Sequence, residues 1–461
     1  MKKKKLVLLN PEFPNIGVSE KSITQYPPIG LGIVAAVTPE HWEVVIRDST
    51  FDDLQVEPCD LVGITAMTPQ VNSAYHLAEQ FRQGGTPVVL GGIHPTLCTG
   101  EALNFADAVV KYEAVETWPK VIEDFEKGDL KKVYEPKPGS RERTFKKLPH
   151  PAYHLLNPNY EWGLVQTSMG CPLDCEFCAV TAFCGSKYIQ RPLGDVLDEI
   201  EMIPQKILLF SDDNLLGYGK KAEERFIALC EGMIKRKLKK KWVAQMTANF
   251  SKSDEVMRAA SEAGCVFVLI GIESIFDDVL KGHMNKTHNI KYIHDGNFIK
   301  RIHKYGIGVI GMFIVGNDED KPDCVRMIYR FIKDYNIDIP TISFLTPFPG
   351  TKLWKRMNNE DRLPYHKFPD DWRHFIGTDQ AMIVTPQLSK EYLEEEVAWI
   401  SRKVYSAPSI LKRALYALMY SRGNLVTTIS TIKGNWSWRY SAWNSTFYKR
   451  SGYSSGKEIK V

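Results

Sequence analysis

Short, wholly apolar runs alternate with amphipathic stretches along most of this chain, the pattern of buried parallel strands connected by helices. In the N-terminal part, Lys5 to Leu9, Trp42 to Ile46, Leu61 to Thr65, Pro87 to Leu90 and Asp107 to Val110 read as five strands. Gly30 to Val37 and Val71 to Arg82 have helical periodicity between them. Pro136 to Pro158 then places five prolines among charged residues, a linker or strap rather than an element.

From Gly163 to about Arg362 the strand-then-helix pattern resumes. Leu164 to Gln166, Lys206 to Phe210, Lys241 to Met246, Val266 to Ile270, Val309 to Val315 and Thr341 to Leu345 read as six strands. Helices are expected over Val196 to Met202, Lys220 to Arg236, Ser253 to Ala263 and Lys321 to Tyr335. Six parallel strands wrapped by helices predict a partial (β/α)6 barrel with its chemistry at the carboxyl ends of the strands. Leu388 to Ile400 reads as a helix capped by Ser389, with Leu393, Val397 and Ile400 on one face, expected to cover the open side of the barrel. The fold class is therefore α/β, divided as a doubly wound, Rossmann-like sheet over 1–135, a linker over 136–160, a barrel over 161–365 and a mainly helical region over 366–461.

Composition adds little, but the placement of charge does. The chain has 461 residues, 44% of them hydrophobic and 25% charged, which is ordinary for a globular protein of two or three domains. The net charge of +4 hides a C-terminal segment, Ser409 to Val461, with nine Lys/Arg against Glu458 alone. There Trp436, Trp438, Tyr440, Trp443, Phe447 and Tyr448 interleave with Arg439, Lys449 and Arg450. Such a tail can lie on an anionic bilayer, stack on nucleic-acid bases, or pack back on the core. Met1 to Lys5 begins like a signal peptide, but the apolar run stops at Pro11, so export is not expected.

Nine cysteines, only three of them clustered, argue against a disulfide framework. Cys171, Cys175 and Cys178, spaced C-x3-C-x2-C beside Gly170 and Pro172, supply three soft thiolate ligands to a four-iron cluster. The iron left without a protein ligand can bind a small molecule. Cys184, six residues beyond, is too far along for a fourth ligand and reads as packing. An oxygen-labile cluster fits a reducing cytoplasm.

The segment Ser168 to Cys178 resembles the cluster loop of the radical S-adenosylmethionine (SAM) enzymes, and Thr167 to Arg191 resembles their cobalamin-binding branch, which contains hopanoid- and bacteriochlorophyll-biosynthesis methylases and cyclases. The resemblance implies a [4Fe-4S] cluster on Cys171, Cys175 and Cys178, whose open iron chelates SAM and whose reduction yields a 5′-deoxyadenosyl radical. It places Phe177 near the adenine. Met169 departs from the family, in which many members have arginine there.

Asn10-Pro11, Pro27 to Leu31, Asp48 and Val89 to Thr96 resemble the cobalamin-binding domain that precedes the barrel in this branch. Gly91 and Gly92 match its glycine turn beside the corrin or its nucleotide tail, with Thr65, Thr68 and His94 nearby. By themselves two glycines after a buried strand are equally a tight turn. No G-x-G-x-x-G follows the first strand, which argues against a dinucleotide site. The D-x-H-x-x-G motif is absent, because no histidine follows Asp48 in register, so a bound cobalamin is expected to have no histidine on its lower face.

In the barrel, Asp212, Asp213 and Asn214 follow the second strand. They could cap a helix or hold a metal; the resemblance implies that they anchor the SAM amino group, Asp213 foremost. Glu273 ends the fourth strand, near the SAM ribose or carboxylate by the same resemblance, with Gln245 as a polar neighbour. Gly311 and Gly316 match an adenine-side strand with room for a planar base. Cofactors implied are the cluster, SAM and cobalamin, with a flavodoxin or ferredoxin as electron donor and a hydrophobic small-molecule substrate; no nucleic acid is expected. The reading is a cytoplasmic C-methyltransferase, with peripheral contact at the inner membrane surface, acting on an unactivated carbon of a lipid or tetrapyrrole. A cyclase, oxidoreductase or rearrangement enzyme is the alternative, and a non-enzymatic cobalamin or redox sensor is the remote one.

Overall fold

The computed structural model describes residues 3–13, 26–421 and 425–444. Two six-stranded, all-parallel sheets organise it. In the first, β1 (Lys4–Asn10) lies between β2 (Trp42–Asp48) and β3 (Leu61–Thr65), followed by β4 (Val88–Gly91), β5 (Ala108–Val110) and β6 (Val133–Tyr134). The two-residue β6 is too short to be legible as a periodic run. Alternation along β1 divides the core. Val7 and Leu9 pack under helix Val71–Gln83, while Leu6 and Leu8 pack with Leu31 and Trp118 on the other face. The strand order 2-1-3-4-5-6 puts a topological switch beside β1, where the carboxyl ends open into a crevice.

The second sheet is ordered β14-β13-β12-β11-β10-β7. Its strands are β7 (Trp162–Val165), then, after a short antiparallel pair β8 (Ser168–Met169) and β9 (Ile189–Gln190), β10 (Ile207–Phe210), β11 (Lys241–Met246), β12 (Cys265–Glu273), β13 (Gly308–Val315) and β14 (Ile339–Phe344). β7 and β14 are the two edges, so the barrel is open between them, as expected. Side chains at Leu208, Ala244, Val268, Val309 and Ile342 pack on the outer helices. Those at Val243, Phe267 and Ile339 turn the other way, into the lumen.

The proline-rich strap carries more structure than the sequence suggests. It holds helix Arg141–Lys146 and a 3-10 turn, Tyr153–Leu155. Tyr160 at its end donates to Asp48 Oδ2 at 2.5 Å, tying the start of the barrel to the end of β2.

The C-terminal region is helical as expected: Lys390–Val404, Ala407–Tyr420 and Leu425–Asn444. Ser389 caps the first, its side chain accepting from Tyr392 N at 3.1 Å. That helix packs on Cys324–Asp334 through a two-bond pair, Arg326 to Glu396, both at 2.6 Å. The helix Leu425–Asn444 lies against the amino ends of β12 and β14, and its Trp438 packs against Val243, Phe267 and Ile339. The tail beyond Asn444, including Phe447 to Arg450, lies outside the described residues.

Candidate functional site

The loop between β8 and β9 carries Cys171, Cys175 and Cys178. All three thiols are free, Cys175 buried and the other two half-buried. The antiparallel β8–β9 pair closes the loop at its base, and Gly170, with φ +82, makes the entry turn against the Lys187 carbonyl. Met169 is buried with Phe145 and Ile189, a packing role.

Burial raises the pKa of all three thiols, Cys175 to about 12; Cys171 adds to the rise at Cys175 and Cys178, and Cys178 adds to that at Cys175. Lys286 acts in the opposite direction on Cys171 and Cys175. Backbone N–H groups of Leu173, Val180 and Thr181 bond to Cys171 and Cys178 and favour their thiolates. Among the described residues no three His, Cys, Asp or Glu side chains are grouped to hold a single metal ion. A cubane asks for something else, one thiolate on each of three separate irons. Three neighbouring, partly enclosed thiols with amide donors and a cation beside them fit that group.

Asp212 and Asp213 do different things. Asp212 is fully buried and accepts from Thr167 N (3.0 Å), Thr167 Oγ1 (2.8 Å) and Ser168 Oγ, pinning the exit of β7 to the end of β10. Asp213 accepts from Gly170 N at 3.2 Å, on the cluster loop itself. Burial and the neighbouring Asp212 raise its carboxyl to about 6. Asn214 is buried with neither side-chain polar atom partnered by the protein, a costly arrangement that a bound polar ligand would relieve.

Glu273 ends β12 at a bulge, in the left-handed region at φ +63. Its carboxylate forms a buried ion pair with Lys286. Burial alone would lower the Lys286 pKa, but Glu273 and the thiols of Cys175 and Cys178 raise it, so the ammonium is held charged. A Cβ at Gly271 would collide with both partners. Asn289 holds the bulge, donating to Gly271 O at 2.7 Å and Ile272 O at 3.2 Å. Lys286 is the residue that sequence reasoning missed. It lies thirteen positions beyond Glu273, and only an unpaired Glu273 hinted at a cation.

Gln245 alternates into the lumen and is exposed there. Phe177 packs beside Ile314 and Leu345 at the barrel mouth. Gly311 does not have the position expected of it. A Cβ there would meet Ile337 at 2.9 Å and Ile272 at 3.3 Å, on the helix-packed face, so its lack of a side chain serves core packing; the lumen positions of β13 are Ile310, Met312 and Ile314. Gly316, at φ +97, makes the turn after β13, its N–H donating to Asp320 at 2.8 Å.

In the first sheet Thr65, Thr68, Gly91, Gly92 and His94 converge at the carboxyl ends of β3 and β4. Gly92 has φ +100, and a Cβ would lie 2.7 Å from Ala66 O and 2.9 Å from Thr65 Oγ1. His94 is fully buried, its Nδ1 3.1 Å from Thr68 Oγ1 and its Nε2 3.2 Å from Glu101, with Trp372 edge-on at 4.9 Å. Both ring nitrogens are thus engaged within the protein. The two units meet around these loops: Arg141 grips Glu113 through two bonds (2.7 and 2.6 Å), donates to Phe183 O at 3.0 Å, and lies 4.3 Å over the Tyr112 ring.

Comparisons with known proteins agree with this arrangement. Residues 17–122 match the B12 binding domain and residues 165–358 the radical SAM superfamily. The bacteriochlorophyllide d C-12(1)-methyltransferase of Chlorobaculum tepidum is 30% identical over 424 residues, covering 89% of each chain. The hopanoid C-2 methylase of Rhodopseudomonas palustris is 29% identical, over 73% of this chain and 65% of that one. OxsB, a cobalamin-dependent SAM radical enzyme solved with aqua-cobalamin and SAM bound, shares the fold at a TM-score of 0.67 and 14% identity, over 92% of this chain and 72% of that one. The chain belongs to the cobalamin-binding radical SAM enzymes. A radical SAM domain takes a [4Fe-4S] cluster and SAM, and a B12 domain takes cobalamin, so these are its cofactors. No described helix is long and apolar enough to cross a membrane.

Proposed function

We propose that the protein is a cobalamin-dependent radical SAM methyltransferase that methylates an unactivated carbon of a hydrophobic substrate, a tetrapyrrole or a lipid. The observation that carries this is similarity over 89% of both chains to a bacteriochlorophyllide methyltransferase, a span that includes the cysteine loop and most of the B12 domain. The hopanoid methylase match adds a lipid substrate to the same class. When bound, the cluster and SAM supply a hydrogen-abstracting 5′-deoxyadenosyl radical and cobalamin supplies the methyl group.

The protein's contribution is placement. Cys171, Cys175 and Cys178 would hold the cluster. Asp213 and the unpartnered Asn214 would take the SAM amino group, Lys286 and Glu273 its carboxylate and ribose side, with Phe177 and Gln245 at the lumen. Asp212 acts on this site through Thr167 and Ser168 rather than by contact. Thr65, Thr68, Gly91 and Gly92 would receive cobalamin. His94, with both nitrogens already engaged by Thr68 and Glu101, would not be available as a ligand to a bound cobalamin; imidazole splitting in the electron paramagnetic resonance spectrum of the cobalt(II) form that is lost in His94→Ala would contradict this. Methyl transfer needs the target carbon within reach of both reagents, and the contact that Arg141 makes with Glu113 and Phe183 O supports such a juxtaposition. The cellular setting is a reducing cytoplasm with a flavodoxin or ferredoxin donor, and contact with a membrane surface.

The test is turnover of trideuteromethyl SAM by the anaerobically reconstituted enzyme with tetrapyrrole and lipid candidates. Label appearing on carbon in the product is expected. 5′-Deoxyadenosine and an altered substrate without label would assign a ring-forming or oxidising enzyme instead.

A further inference from the structure

Helix Leu425–Asn444 has its polarity reversed relative to a packed surface helix. Thr427, Thr431 and Asn435 point inward with no exposure, whereas Leu425, Ile429, Ile432 and Trp436 are 40–63% exposed. The orientation is fixed by specific contacts. Asn435 Nδ2 donates to Asp338 O at 2.8 Å, and its Oδ1 accepts from the buried Arg413 Nη2 at 2.6 Å. A Cβ at Gly434 would lie 2.6 Å from Ile339 Cδ1, so the helix is pressed against β14 at that point.

The preceding helix Ala407–Tyr420 also turns large apolar side chains outward, although its inner face is mostly apolar. It buries Ile410, Arg413, Ala414 and Ala417, and exposes Leu411, Leu415 and Met419, four residues apart, at 54–69%. Arg439 Nη1 donates to Tyr405 O at 2.8 Å, so the two helices run antiparallel as a hairpin. At its root Tyr420 stacks on His303 at 4.1 Å and donates to Asp338 at 2.8 Å. The hairpin is thus bolted to the barrel by polar contacts and turns apolar side chains outward.

Charge says what that face meets. Between Glu396 and Glu458 there is no Asp or Glu, and ten Lys and Arg. Lys403, Lys412 and Lys433 are exposed among the apolar positions. A second copy would oppose like charges, and a nucleic acid would leave the leucines and isoleucines in water. An anionic lipid surface satisfies both sets, with apolar tips in the acyl boundary and lysines at the headgroup phosphates. Neither helix is long and apolar enough to cross a membrane.

We propose that the hairpin of Ala407–Tyr420 and Leu425–Asn444 is the surface by which this protein docks on an anionic bilayer. This deepens the functional reading above and rests on it only for purpose, delivery of a hydrophobic substrate; docking itself is measured without turnover. The full-length protein is floated with vesicles of phosphatidylcholine, alone or with about 30 mol % phosphatidylglycerol. Flotation with the anionic vesicles, weakening as salt rises, is expected. The triple variant Leu411→Ser, Leu415→Ser, Met419→Ser should bind at least about tenfold more weakly. These positions are exposed, so its thermal melt should match the parent; Lys412→Glu with Lys433→Glu serves as a second variant set should it not. No flotation, or equal flotation of both variants, overturns the proposal. Concentration-dependent dimerisation lost in the triple variant overturns it in favour of a second copy. A protein that floats but transfers no methyl upholds docking and sinks the methyltransferase reading.

Discussion

Arg356 grips Glu176 through Nε and Nη2 at 2.7 and 3.1 Å, while its Nη1 donates to Asp318 at 2.7 Å. Glu176 lies between Cys175 and Cys178, so helix Lys352–Asn359 holds the cluster loop from beyond the last strand. Leu353 N adds a backbone bond to Glu176 O at 3.1 Å.

Arg356→Ala should therefore destabilise the loop by about 1.5–3 kcal/mol, the usual value of a hydrogen bond to a charged group, and accelerate extraction of iron by a chelator. Arg356→Lys should restore only part, because an ammonium cannot reproduce the two-bond grip. Iron release at the parent rate in Arg356→Ala would show that the loop supports itself.

The adjacent carboxylates should separate on mutation. Asp212→Ala strands three buried donors and should cost about 2–4 kcal/mol of folding stability by chemical denaturation. Asp213→Ala should change stability by less than about 1 kcal/mol yet weaken SAM binding by about 1.5–3 kcal/mol in calorimetry. The reverse pattern would exchange their roles.

Lys286 and Glu273 form a buried pair, so removing one partner leaves a charge unsatisfied. Lys286→Met should cost about 3–5 kcal/mol, and the double variant with Glu273→Gln clearly less than the two single losses combined. Strict additivity in that cycle would mean that the pair is not coupled.

Gly91 and Gly92 should respond differently to alanine. At Gly91 the nearest atom to a Cβ is Val110 O at 3.6 Å, ordinary contact, so Gly91→Ala should fold normally. Gly92→Ala adds a left-handed backbone to contacts below 3 Å and should cost about 1–3 kcal/mol and impair cobalamin uptake. Equal melting temperatures for the two variants would contradict the geometry.

Where local chemistry is dense, the sequence is legible. Three cysteines within eight residues needed no tertiary information, and apolar runs such as Leu6 to Leu9 located the parallel strands. Legibility fails where meaning depends on which face a residue presents. Gly311 turned out to face Ile337 because a one-residue change of phase reverses a strand's sides. Lys286 reaches Glu273 only through the bulge that Asn289 holds. The outward Leu and Ile of the last helix contradict the ordinary expectation that apolar residues face the core, and polar anchors such as Asn435 reveal their direction only in three dimensions.

Cys171, Cys175 and Cys178 are expected to bind the cluster that cleaves SAM. The direct measurement is 5′-deoxyadenosine formed per reduced, reconstituted chain in the parent, Cys175→Ala and Cys184→Ala. Cys184 packs with Phe145 and Met169, so that variant should cleave SAM like the parent, whereas Cys175→Ala should form none. Cleavage retained by Cys175→Ala, or lost on replacing Cys184 in a protein that still folds, would mean that these three thiols are not the cluster ligands.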